Sequence, residues 1–444
     1  MHHQSSSRSR VAVIGSGVSG LSAAWLMSKT HQVTIYEKDS RIGGHANTFK
    51  AKGLPAVDTG FIVYNEVNYP NLVALFDRLG VKTKAADMSF AVSLDAGRVE
   101  YGGVGLAPLF GRPSNLLRPR FWKMLRDLTR FYKHAPSHVG AAEEPLITLG
   151  EYLQKHGYSD AFCDDHLLPQ AAAIWSAPCS AIRDYPAAAF IRFFVNHGLL
   201  QLAGRPIWRT VDGGSRVYVD ALMADFTGEV KTNCAVTHVR RHTDGVDVTD
   251  ATGKTLRYDQ IIIASHGDQA LKMLSDPSPE EQRLLGAFHY TRNLAVLHSD
   301  ASLMPRRKPV WSAWNYVGRK GDGPDRDLCV TYWMNQLQSL PGERALFLTL
   351  NPISPPAQDS VIHTEVYEHP LFDAAAMRAQ RELWKLQGAN RTFYCGAHFG
   401  SGFHEDGLQA GLAAAEMAGA QRRPWRVEGE SSRIHLPPVI EAAA

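Results

Sequence analysis

A strand–turn–helix pattern near the N-terminus limits the ways in which this chain can fold. The stretch VAVIGSGVSGLSAAWLM, residues 11–27, places four apolar or small residues before Gly15, Gly17 and Gly20, and an apolar helical pattern follows. In a dinucleotide-binding turn the first glycine makes the bend, the second lets the backbone approach a pyrophosphate, and the third allows close helix packing. The free N–H groups at the helix start then face the anion. The pattern predicts that a nucleotide contacts Gly15, Ser16, Gly17, Val18, Ser19 and Gly20.

The next segment indicates which nucleotide binds. A second predicted strand ends at Glu37, at about the 20-residue spacing expected for a carboxylate on a ribose hydroxyl. In EKDSRIGGHANT, Arg41 precedes the adjacent glycines 43 and 44, so a guanidinium and bare backbone can both approach a polyanion. This segment is similar to the E-K-x-x-R-x-G-G segment of the flavin amine oxidase and phytoene desaturase superfamily, which implies FAD as the cofactor. The residues that the resemblance places at FAD are Glu37, Lys38, Arg41, Gly43, Gly44 and His45.

A second strand–turn–helix pattern, YCGAHFGSGFHEDGLQAG, occupies residues 394–411. In the superfamily that this chain resembles, the last strand and helix return to the nucleotide domain, and the helix dipole stabilises negative charge on the reduced flavin. The segments VDTGFIVYN, VDGGSRVYVDALM and YDQIIIASHGDQALKML resemble three further superfamily segments near the cofactor. The resemblance implies cofactor contacts from Thr59, Gly60, Val236, Ala264, Ser265, Gly396, Asp406, Gly407 and Leu408.

A closer resemblance covers residues from about 11 to 420. GGHANTF, DMSFAVSLDAG, AAAIWSAP, HGLLQLAGRPIWRTVDGGSRVYV and FYCGAHFGSGFHEDGLQAGL look like the flavin-binding oxidoreductase-like family that forms the front part of plant cyclopropane fatty acid synthases and also occurs as separate bacterial proteins. The resemblance implies an FAD protein linked to methylated or cyclopropanated fatty acyl chains of phospholipids. It also implies a functional link to a fatty-acyl methyltransferase.

Length and composition fit a large globular protein. The chain has 444 residues, of which 44% are hydrophobic and 20% charged, enough for a large core and two or three domains. A net charge of +3 with no basic arm argues against nucleic acid as a partner. Five scattered cysteines without C-x-x-C spacing indicate neither disulfides nor a metal site, and they favour a cytoplasmic setting. We expect no secretory leader and no membrane span, so any contact with the inner face of a membrane would be peripheral.

The positions of the nucleotide motifs predict the domains. The fold class is α/β: a Rossmann-like FAD-binding domain of the glutathione reductase type 2 (GR2) class with an inserted α+β substrate domain. We assign residues 8–70, 209–275 and 388–425 to the FAD domain, including a small antiparallel meander over 229–259, and residues 71–208 and 276–387 to the substrate domain. Residues 426–444 are expected to form a weakly ordered tail.

Two stretches of the substrate domain each admit two interpretations. RPSNLLRPRFWKMLRDLTRFYKH carries seven basic residues and one acid, with Phe121, Leu125, Leu128 and Tyr132 at helical spacing. Such a helix either lies on an anionic lipid surface or packs its apolar stripe in the domain and solvates its basic face. Residues 187–208 hold several phenylalanines and leucines that line a tunnel for an apolar chain or form plain core.

The expected chemistry is removal of a hydride from an acyl-chain carbon to flavin N5, with loss of a neighbouring proton, which leaves a carbon–carbon double bond. Titratable residues in motifs near the flavin are the candidate proton acceptors: His45, His398, His404 and Glu405. Amine oxidation is the alternative, although no segment supplies a convincing aromatic cage. A further alternative is an FAD-bearing accessory protein that serves a fatty-acyl methyltransferase.

Overall fold

The computed structural model describes residues 8–437 except 104, 140–146, 176–177, 202–203, 205 and 321–325. The helices of this part of the chain are α1 Val18–Met27, α2 Pro70–Leu79, α3 Leu106–Leu109, α4 Pro119–His134, α5 Leu149–Lys155, α6 Asp160–Phe162, α7 Leu168–Trp175, α8 Cys179–Arg183, α9 Ala187–Asn196, α10 Arg216–Ala224, α11 Gly267–Met273, α12 Pro279–Leu285, α13 Met334–Leu337, α14 Ala374–Gln380 and α15 His404–Met417.

The strands complete the list of regular elements. They are β1 Arg10–Ile14, β2 Gln32–Tyr36, β3 Thr48–Phe49, β4 Val57–Asp58, β5 Tyr64–Asn65, β6 Thr83–Ala85, β7 Phe90–Leu94, β8 Val99–Gly102, β9 Trp208–Val211, β10 Glu229–Lys231, β11 Val236–His242, β12 Gly245–Asp250, β13 Thr255–Tyr258, β14 Gln260–Ile263, β15 His289–His298, β16 Trp314–Lys320, β17 Arg326–Trp333, β18 Phe347–Leu350, β19 Val361–Leu371 and β20 Thr392–Tyr394.

A five-stranded parallel sheet forms the centre of the nucleotide-binding part. Its strand order is β10-β2-β1-β14-β20. Strand β1 is buried from Val11 to Ile14, as expected for a parallel strand covered on both faces. Strand β14 pairs with β1 on one side and with β20 on the other. The predicted α/β Rossmann-like fold is therefore confirmed, and β14 connects the N-terminal strand β1 to the edge strand β20.

The meander predicted over residues 229–259 differs from expectation in one strand. Strands β11, β12 and β13 form an antiparallel sheet, with turns that contain Gly245 and Gly253. Strand β10 instead pairs in parallel with β2, with Val230 opposite Ile35. Strand β2 is buried and mostly apolar, so the edge of the parallel sheet gives β10 an apolar partner. This explains why β10 does not join the meander. All five strands of the parallel sheet fall inside the ranges assigned to the FAD domain, while the boundaries themselves stay a prediction.

The inserted part combines a large sheet with helices. Its seven-stranded sheet has the order β19-β15-β18-β17-β16-β7-β8, so β19 and β8 are opposite edges. A smaller sheet, β5-β9-β6, joins this region to the nucleotide-binding part at strand β9. None of the helices in the described part of the chain has the length and apolar composition needed to cross a membrane.

The C-terminal segment is more ordered than the sequence predicted. Residues 426–437 lie against helices α2 and α15, where Arg433 pairs with Asp406 and Ile434 is buried. The ion pair and the apolar contact hold a segment whose polar composition gave no sign of packing. Residues 438–444 of the predicted tail lie outside the described residues.

Candidate active site

The first glycine turn has the geometry that its sequence predicted. Gly15 has φ of 101°, and a Cβ there would lie 2.9 Å from the Ala264 carbonyl oxygen, so only glycine fits. A Cβ at Gly20 would lie 2.0 Å from the Gly15 oxygen. A Cβ at Gly17 would meet no atom within 4 Å, and Gly17 lines a cavity. The bare backbone at the start of helix α1 therefore faces open space.

The second glycine turn packs directly against the first. A Cβ at Gly407 would lie 2.8 Å from Val18 Cγ1, and one at Gly411 would lie 2.2 Å from the Ser19 oxygen. These glycines let helix α15 lie against helix α1 with almost no side chain between them. The structural role of Gly407 is therefore to let helix α15 pack closely against Val18 of helix α1. The close packing places the N-termini of both helices beside the same cavity, which Val18 and His404 line.

The segment around the double glycine surrounds the first turn. Gly43 N donates to Ser16 O at 2.9 Å, and a Cβ at Gly44 would lie 3.0 Å from Gly17 Cα. Arg41 Nη1 donates to Gly44 O at 2.7 Å. Glu37, at the end of β2, accepts from Ser16 N at 3.0 Å. The predicted nucleotide residues of this segment are thus brought together.

A continuous cavity of about 680 Å³ extends from the glycine turns into the substrate part. The cofactor-side wall consists of predicted site residues: Gly17, Val18, Ser19, His45, Thr59, Gly60, Ala264, Ser265, Gly396, His398 and His404. The far wall is largely aliphatic and aromatic and includes Ile62, Met88, Phe90, Ile174, Trp175, Phe193, Leu199, Trp208, Trp314, Leu348 and Leu350. Phe193 and Leu199 come from the stretch that we considered for a tunnel, whereas Phe190 and Phe194 are buried core.

Two predicted histidines of the cavity wall each have a ring nitrogen without a hydrogen-bond partner among the described residues. His45 Nε2 and His398 Nε2 are buried and accept or donate no hydrogen bond. Burial lowers the pKa of His398 to about 3. Burial and the nearby His369 hold the pKa of His45 well below its ordinary value. Both rings are therefore neutral at pH 7.

His404 is engaged by the protein. Its Nε2 lies 2.6 Å from the Tyr218 hydroxyl, and its ring stacks on Phe61 with centroids 3.8 Å apart. Burial lowers the pKa of His404 to about 3. The ring forms part of the cavity wall, but its outer nitrogen is already hydrogen-bonded. His404 is thus a weaker candidate for proton transfer than the sequence suggested.

Glu405 was predicted as a catalytic residue, and the structure gives it another position. Its Oε1 accepts from Asn71 N at 3.1 Å and Asn71 Nδ2 at 2.8 Å, and its Oε2 accepts from Leu72 N at 3.0 Å. Glu405 is fully buried and is not part of the cavity wall that the described residues form. It caps the N-terminus of helix α2, where a carboxylate satisfies free N–H groups.

Several predicted cofactor residues are not among the described residues of the cavity wall: Gly15, Ser16, Gly20, Glu37, Arg41, Gly43, Gly44 and Gly407 belong to the glycine turns and their surroundings, and Lys38, Val236, Asp406 and Leu408 have other surroundings. Asp406 accepts from Phe403 N at 2.7 Å and forms the ion pair with Arg433. Leu408 is buried in the core, and Val236 pairs with Asp250 in the meander. Lys38 is exposed beyond the end of β2. The resemblance had placed these residues at the cofactor, but Asp406 and Leu408 belong to the packing of helix α15.

The sequence reasoning missed two histidines on the cavity wall. His266 stacks on Tyr290 with centroids 4.0 Å apart, and its Nδ1 lies 3.4 Å from Glu368 Oε2. Burial lowers the pKa of His369 to about 4. His266 directly follows the Ala264–Ser265 motif, so that motif could have revealed it. His369 lies on the edge strand β19, where no local pattern marks it.

The profile of the family described as flavin containing amine oxidoreductase matches residues 18–302 of this chain. The chain belongs to this family. It is a flavin-dependent oxidoreductase whose cofactor is FAD, as the resemblance to the amine oxidase and desaturase superfamily implied. The closer resemblance to the family of plant cyclopropane fatty acid synthases stays a prediction.

Individual proteins also resemble this flavin oxidoreductase. Protoporphyrinogen oxidase 2 of Arabidopsis thaliana is 40% identical over 154 residues, which cover 33% of this chain and 29% of that protein. AofH of Mycobacterium tuberculosis H37Rv, named as a flavin-containing monoamine oxidase, is 24% identical over 322 residues, which cover 70% of this chain and 67% of that protein. The fold is similar to that of a fatty acid isomerase from P. acnes that produces CLA, with a TM-score of 0.65, 16% identity and coverage of 92% and 97% of the two chains.

The residues around the glycine turns fit FAD. The uncapped start of helix α1 and the open space over Gly17 suit a pyrophosphate, which needs N–H donors and close backbone approach. The buried Nε2 atoms of His45 and His398 have no partner among the described residues, and either atom reaches a ligand only if its ring turns toward the cavity. Thr59, Gly60 and Ala264 complete the wall between these two features.

Proposed function

We propose that this protein oxidises a long apolar chain, a fatty acyl chain of a phospholipid, and introduces a carbon–carbon double bond. The observation that carries the proposal is the continuous cavity, which begins at the glycine turns and ends in an aliphatic and aromatic chamber. Burying an acyl chain there removes apolar surface from water on both partners, at about 25 cal/mol per Å². A methyl-branched alkene is the preferred substrate, because its allylic C–H bonds are weaker than those of a saturated chain.

The charged groups of the chamber support an uncharged substrate. Asp87 Oδ1 accepts from Ser89 N at 2.6 Å, and Asp87 Oδ2 accepts from Gln336 Nε2 at 2.5 Å. Glu368 is the other carboxylate among the described lining residues, and its Oε2 faces His266. Both carboxylates thus have protein partners, and the far wall is otherwise largely aliphatic and aromatic.

The protein's own contribution to the reaction is positioning, exclusion of water and acceptance of a proton. FAD, when bound, supplies a two-electron acceptor that takes hydride from carbon. The candidate acceptors of the proton from the neighbouring carbon are the wall histidines His45 and His398, whose rings would first have to turn a nitrogen toward the chain. Their lowered pKa values keep both rings unprotonated at pH 7 but make them weak bases, so this role requires bound FAD or substrate to raise the pKa. The apolar chamber aligns the chain, and Trp175 and Trp314 exclude water.

Amine oxidation is a second candidate because of one feature of the cavity. The ring of His45 lies 4.9 Å from that of Tyr367 and 5.4 Å from that of His369. Neutral aromatic faces near the Glu368 carboxylate can hold an ammonium group. The family match and the likeness to AofH agree with this candidate.

One anaerobic experiment separates the candidates. The purified FAD protein is mixed with phospholipids that carry methyl-branched unsaturated chains, and the flavin absorbance and the acyl products are followed. Acyl-chain oxidation predicts bleaching together with a product two hydrogens lighter. Bleaching by putrescine or another primary amine, and by no lipid, would favour amine oxidation. If neither bleaches the flavin and only the output of an added fatty-acyl methyltransferase changes, the protein serves that enzyme as an accessory.

A further inference from the structure

A group of large apolar side chains lies on the surface of the inserted part. Leu106 belongs to helix α3, Leu116 and Leu117 to the 3₁₀ turn Pro113–Leu117, and Trp122 to the first turn of helix α4. Leu106 is 76% exposed and Leu117 is 87% exposed, while Leu116 and Trp122 are about half exposed. We call these four residues the apolar patch. Exposure of this much leucine and tryptophan in one region is characteristic of an interaction site.

Hydrogen bonds and ring contacts connect the members of the patch. Trp122 Nε1 donates to Leu116 O at 2.9 Å, which fixes the indole over the 3₁₀ turn. The Trp122 ring lies 6.1 Å from the Phe110 ring, and Phe110 N donates to Leu106 O at 3.0 Å. These contacts connect the 3₁₀ turn with helices α3 and α4 through Trp122 and Phe110.

Four arginines converge beside this patch. Arg112 and Arg118 both donate to the Arg98 carbonyl oxygen, and Arg307 Nη1 donates to Gly97 O at 3.3 Å. We call Arg98, Arg112, Arg118 and Arg307 the arginine cluster. Burial and repulsion from the other three guanidinium groups lower the pKa of Arg112, which indicates that the four positive charges are close together. Among the residues that the structure describes, Asp95 and Glu100 pair with the cluster, and these two carboxylates offset two of its four charges.

The basic face of helix α4 is less available than the sequence suggested. Arg120 Nε lies 2.7 Å from Asp165 Oδ2, and Arg126 Nη2 lies 3.1 Å from Asp127 Oδ1. Both carboxylates are buried, so these two arginines are tied to their own domain. The excess positive charge is instead found at the arginine cluster, on the N-terminal side of the helix.

We propose that the apolar patch and the arginine cluster bind an anionic phospholipid bilayer. Leucine and tryptophan side chains insert at the boundary between headgroups and acyl chains, and guanidinium groups bind the lipid phosphates. The combination favours a bilayer over a protein partner, because an excess of positive charge directly beside protruding apolar groups matches an anionic headgroup layer above hydrocarbon. This inference goes beyond the proposed reaction and does not depend on it.

The apolar patch is also close in sequence to a residue that contacts the cavity wall. Gly103 N, at the end of β8, donates to Phe90 O at 2.7 Å, and Phe90 lines the cavity. Helix α3 begins three residues further, after Gly105. A bilayer on the patch would thus be next to a wall of the substrate chamber.

The test is flotation of the FAD-loaded protein with vesicles. One vesicle contains phosphatidylcholine alone, and the other contains equal amounts of phosphatidylcholine and phosphatidylglycerol. We expect the wild-type protein to float with the anionic vesicles, with binding that decreases as sodium chloride is added, and to bind the neutral vesicles far less. Equal binding to both vesicles, or no binding to either, would overturn the proposal.

Variants in the patch, in the arginine cluster and at two exposed positions elsewhere locate the contact. Leu117→Glu places a charge in the patch and is expected to weaken binding at least about tenfold. Arg118→Gln removes one charge and is expected to weaken it about fivefold. The matched controls are Val366→Glu, on the opposite edge strand β19, and Lys272→Glu, on helix α11; both side chains are exposed, and neither change should alter binding.

Bound flavin absorbance and the melting temperature verify that each variant is folded. Should Leu117→Glu fail to fold, Leu106→Glu tests the same patch from another element. Wild-type binding by the patch variants, or an equal loss in the Val366→Glu control, would place the lipid contact elsewhere and contradict the proposal.

Discussion

Arg433 Nε lies 2.7 Å from Asp406 Oδ1, and this ion pair connects the C-terminal segment to the first turn of helix α15. Asp406 is fully buried, and Arg433 is largely so. Burial raises the pKa of Asp406, and Arg433 opposes that shift. The pair therefore holds the end of the chain against the helix that faces the cavity.

Replacing the cation of this pair should destabilise the fold. Arg433→Met leaves a buried carboxylate without its partner, which costs roughly 3–5 kcal/mol in unfolding free energy. Loss of Arg433 raises the pKa of Asp406 further above its unfolded value. The deficit is therefore largest at neutral pH and shrinks as the pH falls through the folded pKa, where the carboxyl becomes neutral. Urea unfolding at pH 7 and pH 5 measures this, and Arg433→Met with Asp406→Asn should recover part of the loss.

Gly17 and Gly20 should respond differently to alanine. The Cβ of Gly17→Ala enters open space, so the variant folds normally, but the methyl group fills the cradle over helix α1 and weakens FAD binding. The Cβ of Gly20→Ala meets the Gly15 oxygen and destabilises the protein. Thermal unfolding of the apoprotein and titration with FAD separate the two effects. If Gly17→Ala bound FAD as tightly as the wild-type protein, the assignment of the Gly17 backbone to the FAD site would be wrong.

Glu405→Gln tests a structural role against a catalytic one. The amide would turn an NH₂ group toward the N–H donors of Asn71 and Leu72, which costs roughly 1–3 kcal/mol in unfolding free energy. Flavin reduction by substrate, measured below the melting temperature, should be unchanged, because Glu405 is not on the described cavity wall. If Glu405→Gln greatly lowered the rate of flavin reduction while the unfolding free energy stayed at the wild-type value, Glu405 would be a catalytic residue and not a helix cap.

The buried histidines predict loss of stability in acid. His398 and His404 have pKa values lowered to about 3, against 6.5 in the unfolded chain. Below pH 6.5 the unfolded chain binds protons that the folded protein does not, so stability falls as the pH drops from 6.5 toward 3. At pH 5 each residue accounts for about 2 kcal/mol. His398→Gln should show a shallower decline between pH 7 and pH 5 in chemical unfolding than the wild-type protein does.

Ile207 offers a test of how substrate enters. Its side chain lines the cavity and is also largely exposed, so it lies at an opening. Ile207→Glu should raise the KM for an acyl substrate and leave the kcat unchanged, since a carboxylate there disfavours an apolar chain without touching the reacting atoms. Leu294→Glu, at an exposed position of β15, is the matched control. An unaltered KM in Ile207→Glu would mean that the substrate enters elsewhere.

The nucleotide-binding elements could be predicted because their requirements are local. Gly15, Gly17 and Gly20 are dictated by backbone contacts within a few residues and one neighbouring strand. The return of β20 and α15 was predictable from a resemblance that covers both turns. Gly411 closes the quoted pattern, but its close approach to Ser19 of helix α1 could not be predicted, because that partner is distant in sequence.

The misassigned residues have partners that are distant in sequence. Glu405 resembles a catalytic acid in its own motif, and only its bonds to Asn71 and Leu72 identify it as a helix cap. Arg120 and Arg126 looked like a solvated basic face because Asp165 lies far along the chain and Asp127 was not expected to be buried. A local sequence pattern predicts which residues share one face of a helix. It does not predict which carboxylates form ion pairs with that face in the folded protein.

The strand order of the parallel sheet also constrains how the protein is made. Strand β1 is synthesised long before its sheet neighbour β14, and β20 follows later still. On the ribosome, β1, β2 and helix α1 remain without these partners and expose apolar surface that chaperones recognise. We therefore expect FAD to bind after helix α15 has been synthesised, because that helix contributes His404 to the cavity wall.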